Sequence, residues 1–258
     1  MSNEMDIRID MAWMLTTLLT SVRIGSLLIL NPLFSLAQIP ARIKILFIVA
    51  LSYVLVSGLG VPSVNVPISM SNVITSVLYE LVLGAMLGFG MFTIFAAFLF
   101  GGRILDIQMG FGVASLIDPA TRTSTPMIGT VLNLMAVFAF FLINGHHMMI
   151  RGLAYSLEKI PPGSVFTLPD ISVLVMQFGL MFTYGVMIIA PVMITILMVD
   201  VGMAIAARTM PQVNMFIVGL PLKIFVGLTV LAMSMEYMAP LLQKMFGSIF
   251  TYWQQVIG

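Results

Sequence analysis

Apolar positions dominate this chain so completely that the pattern is read from where they stop. Six long apolar stretches are separated by short polar or proline-bearing breaks: residues 12–30, 45–59, 73–100, 127–143, 171–199 and 216–235. A hydrocarbon core about 30 Å thick is crossed by about 20 apolar residues as a helix, and lipid offers no partner to an open sheet edge. The pattern therefore predicts an all-α integral membrane protein of about six apolar helices. The breaks carry turn residues, namely Asn31-Pro32 through Pro40, Val61-Pro62 to Pro67, Pro161-Pro162-Gly163, and Met210-Pro211. None is long enough to separate two domains, so residues 1–258 are expected to form a single membrane domain.

Two of the stretches, residues 73–100 and 171–199, are close to 28 residues each, and the second contains Pro191, which removes a backbone donor and is expected to kink its helix. Helices of that length must tilt, bend or leave the bilayer. Leaving it requires cover by other protein, which points to an assembly.

Composition narrows the function. Charged residues make up 8% and apolar ones 60% of the 258, against roughly 25% and 45–50% in soluble domains. Cysteine is absent, which removes disulfides, thiolate metal sites and cysteine nucleophiles. The net charge of +1 comes without a basic cluster, so nucleic-acid binding lacks its electrostatic footprint. Before the first stretch stand Glu4, Asp6 and Asp10 against Arg8, unlike the basic start of a signal peptide, so that stretch is expected to remain as a membrane entry. Arg42 and Lys44 make the first connection basic while residues 60–72 carry no charge, which predicts a cytoplasmic first loop and an external N-terminus.

Ionisable residues inside apolar stretches are costly and need a partner, an interface or water. Arg23 and Glu80 are such residues, open to an intersubunit or water-facing role, snorkelling or mutual pairing. Arg103 and Asp106, three apart, are expected to pair on one helical face. His146 and His147 are adjacent, so they point about 100° apart on a helix, and no acidic cluster or HxxxH spacing completes a metal site. No catalytic triad order, phosphate loop or dinucleotide motif is present. No cofactor, metal or catalytic residue is assigned.

Gly84 and Gly88 form a GxxxG pattern that permits close helix approach. Residues 108–119, Gln-Met-Gly-Phe-Gly-Val-Ala-Ser-Leu-Ile-Asp-Pro, are apolar yet poor at propagating a helix. Such a segment at membrane depth is tolerated only where protein buries it or where it lines a cavity. The 24 methionines mostly replace leucine, although their adaptable side chains also suit surfaces that repack.

Residues 108–119, the later Phe-Leu-Ile-Asn-Gly-His of residues 141–146, and Arg-Thr-Met-Pro-Gln-Val-Asn-Met-Phe-Ile-Val-Gly-Leu-Pro of residues 208–221 together resemble the signature regions of the FliR family of flagellar export-gate proteins. The virulence-type III secretion relatives share the architecture, but the motif wording is closer to the flagellar branch. The resemblance implies kinked hairpins that mimic FliP-like and FliQ-like units in tandem. One copy would join FliP and FliQ in a helical cone, partly above the bilayer of the inner membrane, with FlhB around it and FlhA below. Unfolded export substrates would pass along its axis. The resemblance also implies a pore plug made of Met109, Gly110, Phe111, Gly112, Val113, Ala114, Ser115, Leu116, Ile117 and Asp118. In it Phe111, Val113, Leu116 and Ile117 occlude the channel and Gly110 and Gly112 flex. Pro211, Gly219 and Pro221 would pack against FliP or FlhB. From the residues alone, a six-span transporter working by itself stays open, as would be signalled by an inverted repeat around a midplane site.

Overall fold

The computed structural model describes residues 11–33, 39–63, 69–111, 126–210, 212 and 214–258. Its helices, in chain order, are α1 (Met11–Ile29), α2 (Ala41–Leu59), α3 (Met70–Gln108), α4 (Met127–Leu142), α5 (Gly145–Lys159), α6 (Ile171–Thr209), α7 (Met215–Ser234) and α8 (Ala239–Ile257), with a 3₁₀ turn at Met235–Tyr237. Among the described residues there is no strand. Five helices are long and apolar enough to cross a membrane, or six when α4 and α5 are taken as one broken span. The protein is thus an all-α, multi-pass membrane protein.

The two long apolar stretches are longer as helices than the hydropathy pattern indicates. Both α3 and α6 have 39 residues, about 58 Å at 1.5 Å per residue, which is nearly twice the hydrocarbon thickness of about 30 Å. Pro191 does not end α6, which continues helical on both sides of it. Arg42 and Lys44 lie in the first turn of α2, so the basic pair belongs to a helix start and not to a loop. Gly60 closes α2 in the left-handed region at φ 60°, and the Val61 amide donates back to Val56 O at 3.3 Å. Helices α5 and α8 escape the hydropathy pattern because each has a polar face.

The chain divides into two compact units. The first holds α1, α2, α3 up to Phe92, residues 146–173 and the end of α8 from Phe250. In it the Gly84 and Gly88 notch of α3 receives α1. A methyl group on Gly84 would collide with Arg23 O and Ser26 Oγ, and one on Gly88 would lie 3.0 Å from Leu27 O. Farther along α3, Gly90 and the α5 residue Gly152 leave room for Tyr252 and Trp253 of α8. The Trp253 indole donates to Leu87 O at 2.9 Å and the Tyr252 hydroxyl to Met86 O at 3.0 Å. Burial pushes the Tyr252 phenol well above its ordinary range, which keeps it a donor.

The second unit holds residues 93–145 and 174–249. Its centre is a set of aromatic rings, with Phe246 lying 5.7 Å from Phe95, 5.5 Å from Phe140 and 6.4 Å from Phe98 between centroids. Edge-on and offset pairs of this kind add about 0.5–1.5 kcal/mol each beyond burial. The buried Gln177 amide donates to Thr93 Oγ1 at 2.9 Å, while the buried Asn133 Oδ1 has no hydrogen-bond partner among the described residues.

These contacts rank three glycines by what surrounds them. Gly84→Ala is expected to lower thermal stability in detergent most, by about 1–3 kcal/mol as for an overpacked site. Gly88→Ala should cost less, since its neighbours stand at 3.0–3.1 Å. Gly179→Ala, with nothing within 4 Å, should be neutral or slightly stabilising. A melting series on the purified chain gives the order directly.

Candidate functional site

Two constellations stand out, one in each unit. In the first, Arg23 of α1 is fully buried and Glu80 of α3 nearly so. A guanidinium in an apolar interior needs all five N–H donors met. Arg23 Nε donates to Glu80 Oε2 at 2.6 Å and Nη2 to Glu80 Oε1 at 3.0 Å, a bidentate pair. Nη2 also reaches Ile160 O at 2.8 Å, while Nη1 reaches Ser156 O at 2.8 Å and Ser156 Oγ at 3.2 Å. Glu80 Oε1 further accepts from the Gly163 amide at 3.1 Å. Of the readings open for these two residues, mutual pairing is the one the geometry displays, and it ties α1, α3, the end of α5 and the Pro161-Pro162-Gly163 turn to one point.

The second constellation is the root of the segment assigned as a plug. Helix α3 ends at Gln108, and the Met109 and Gly110 amides donate hydrogen bonds back to Leu105 O at 2.8 Å and Ile107 O at 3.1 Å. Gly110 has φ 86°, the left-handed region where a side chain is strained. Met109 is fully buried, and a methyl group on Gly227 of α7 would come within 2.6 Å of its Cε. Phe111 is half-buried. Gly112, Val113, Ala114, Ser115, Leu116, Ile117 and Asp118 lie outside the described residues, as does Pro211.

The chain returns at Pro126, where α4 begins. Asp106, 6% exposed, accepts from the Ile128 amide at 3.0 Å and the Gly129 amide at 3.4 Å. The local pair expected with Arg103 is therefore corrected. Asp106 caps the first turn of α4, while Arg103 is exposed. The physical reason is that bare N–H groups at a helix start have no lipid partner and carry the positive end of the helix dipole. Gly102 and Gly129 meet backbone to backbone at the same level, since a methyl on Gly102 would clash with the Gly129 backbone. The two feet of residues 109–126 are thus held together by one carboxylate and one glycine contact.

Of the other assigned residues, Gly219 is buried against Met203 of α6, and Pro221 is exposed within α7. The rings of His146 and His147 lie with centroids 4.2 Å apart, tilted by 57°. Asp200 and Lys223 form a half-exposed ion pair between α6 and α7 that the sequence analysis did not single out. Its signal lies in Lys223, inside the 216–235 stretch, and Asp200, directly after the 171–199 stretch.

A multi-pass helical protein with overlong spans and a tethered apolar segment has the form of a membrane assembly component, and comparison with known proteins defines which kind. Residues 14–249 match the family model of bacterial export proteins, family 1. Relatives include the flagellar biosynthetic protein FliR of Bacillus subtilis (strain 168), 31% identical over 89% of each chain. Those of Escherichia coli (strain K12) and Aquifex aeolicus (strain VF5) are 26% identical over 92% of this chain and 90% of theirs, and 28% identical over 95% of each. The chain belongs to the bacterial export proteins, family 1, in its flagellar FliR branch. It is a multi-pass component of the flagellar export apparatus in the inner membrane at the basal body.

Both constellations yield tests. Arg23→Ala or Glu80→Ala alone leaves an uncompensated buried charge and is expected to cost about 3–5 kcal/mol, whereas replacing both by leucine should recover most of the loss; melting of the two singles and the double measures the coupling. Asp106→Ala should cost about 1–2 kcal/mol as a lost helix cap, and Asp106→Asn, which keeps an acceptor, less. Equal losses for the two Asp106 variants would count against the capping role.

Proposed function

We propose that this chain is a core subunit of the flagellar type III protein export gate. In this reading it builds, with FliP and FliQ, the channel for unfolded rod, hook and filament subunits. FlhB and FlhA are its further partners. Its contribution is architectural and not enzymatic, as it places helices and a plug while the driving force is supplied elsewhere.

The observation that carries the reading is the match to the export family over residues 14–249, which takes in most or all of every helix from α1 to α8. The physical chemistry supports it from a second side. Helices about 58 Å long have more apolar length than lipid can cover, so part of α6, whose exposed face runs from Ile171 to Thr209, needs protein neighbours. The tethered root at Met109 and Gly110 supports the plug assignment. An apolar stretch held at both feet closes a pore without the feet having to move, and its apolar side chains exclude hydrated ions.

Deletion of the gene is expected to abolish filaments, swimming in soft agar and secretion of hook and filament subunits, all restored by the intact gene. A deletion strain with normal filaments overturns the reading. In assembled gates, Phe111→Ala or Ile117→Ala should raise resting ion conductance across the membrane while Ile150→Ala leaves it unchanged. Unaltered conductance in the first two would remove the plug from residues 109–118.

A further inference from the structure

Between the Pro161-Pro162-Gly163 turn and the start of α6, residues 165–170 run without helix, turn or bend. The segment Val-Phe-Thr-Leu is rich in residues that favour a pleated strand, and Leu168 is held extended by the proline that follows it. Phe166 is buried, while Val165, Thr167 and Leu168 are exposed, Val165 by 80% and Leu168 by 68%. Among the described residues the amides of Val165, Phe166, Thr167 and Leu168 make no hydrogen bond. The segment thus offers the free backbone donors of a strand at a sheet edge, with no strand beside it among the described residues.

Both ends are fixed. Before the segment, the Gly163 amide is bound by Glu80, and Ser164 donates to Pro161 O through its hydroxyl at 2.7 Å and its amide at 3.1 Å. After it, Asp170 opens α6, accepting from the Ser172 amide at 3.3 Å and the Val173 amide at 3.0 Å. An exposed edge held in place has already lost the conformational freedom that pairing would otherwise remove. Beside it lies a groove of about 420 Å³, lined by this segment, Lys159, Ile160 and the last residues of α8 from Gln255. Lys159, whose ammonium stands 5.8 Å from the Tyr155 ring centre, puts a positive charge at the groove.

We infer that residues 164–169 receive an extended polypeptide segment of a protein partner, which lies in the groove, pairs with the backbone of Val165 to Leu168 as an added strand, and sets an acidic residue against Lys159. Backbone pairing supplies the affinity in such contacts and the flanking pockets the selectivity. The inference rests on the chain working among other protein subunits, and not on residues 109–118 closing a channel.

The absence of cysteine allows a direct test. In Val165→Cys, labelling by a membrane-impermeant maleimide should be about tenfold slower in assembled export complexes than in the isolated chain, the factor imposed by a pairing of about 1.4 kcal/mol. Adding Thr167→Pro, which removes one backbone donor, should restore fast labelling, while Thr167→Ala should not. Recovery of the complex on purification shows separately that each variant assembles. Should Thr167→Pro fail to assemble, cross-linking from Val165→Cys in the otherwise unchanged chain decides, with the partner peptide mapped by mass spectrometry. An extended segment bearing an acidic residue supports the inference. Equal labelling rates, protection that survives Thr167→Pro in an assembled complex, or a cross-link to a helix or to lipid overturns it.

Discussion

The buried pair of Arg23 and Glu80 is the constraint around which the first unit is organised. A charge without its partner in an apolar interior is worth several kcal/mol of destabilisation, so wherever Arg23 goes, Glu80 must follow, and α1 and α3 are brought side by side. The glycine notch at Gly84 makes that approach geometrically possible, because its missing methyl lies where Arg23 O passes. The remaining donors of Arg23 then select the end of α5, and the remaining lone pair of Glu80 selects the turn that follows it. One ion pair thus fixes four pieces of chain, and specificity of arrangement, more than net stability, is what it contributes.

Asp106 does for the second unit what Glu80 does for the first, with backbone instead of a cation as its partner. Two carboxylates in similar apolar surroundings are used in opposite ways because their neighbours differ. Glu80 meets a guanidinium, and Asp106 meets the open first turn of α4. Each meets hydrogen-bond need where lipid cannot.

Much of the architecture was legible from apolar run length. The spans begin close to their predicted places because lipid tolerates little else, although α3 and α6 run on to Gln108 and Thr209, and the break after Gln108 was visible in Gly110. The assignments that failed depended on partners far along the chain. Arg103 stands three residues from Asp106 and invites a local pair, yet the demand of amides 22 and 23 residues away is stronger. Ser156, Ile160 and Gly163 serve Arg23 and Glu80 largely through backbone atoms, which carry no sequence signal. Helices α5 and α8 were overlooked because their polar faces dilute the apolar pattern, although their inward faces hold Ser156 and Trp253.

The seating of Tyr252 and Trp253 on Met86 and Leu87 carries a consequence for how the molecule is made. The partners are separated by 166 residues, and a ribosome adding about 5–20 residues per second takes on the order of ten to thirty seconds to make that interval. Throughout it, the recess at Gly90 stands open in a membrane that already contains α3. Biogenesis therefore passes through a lengthy stage in which a ready-made cleft awaits its own last helix, and in which any other helix of similar shape has the first opportunity to occupy it.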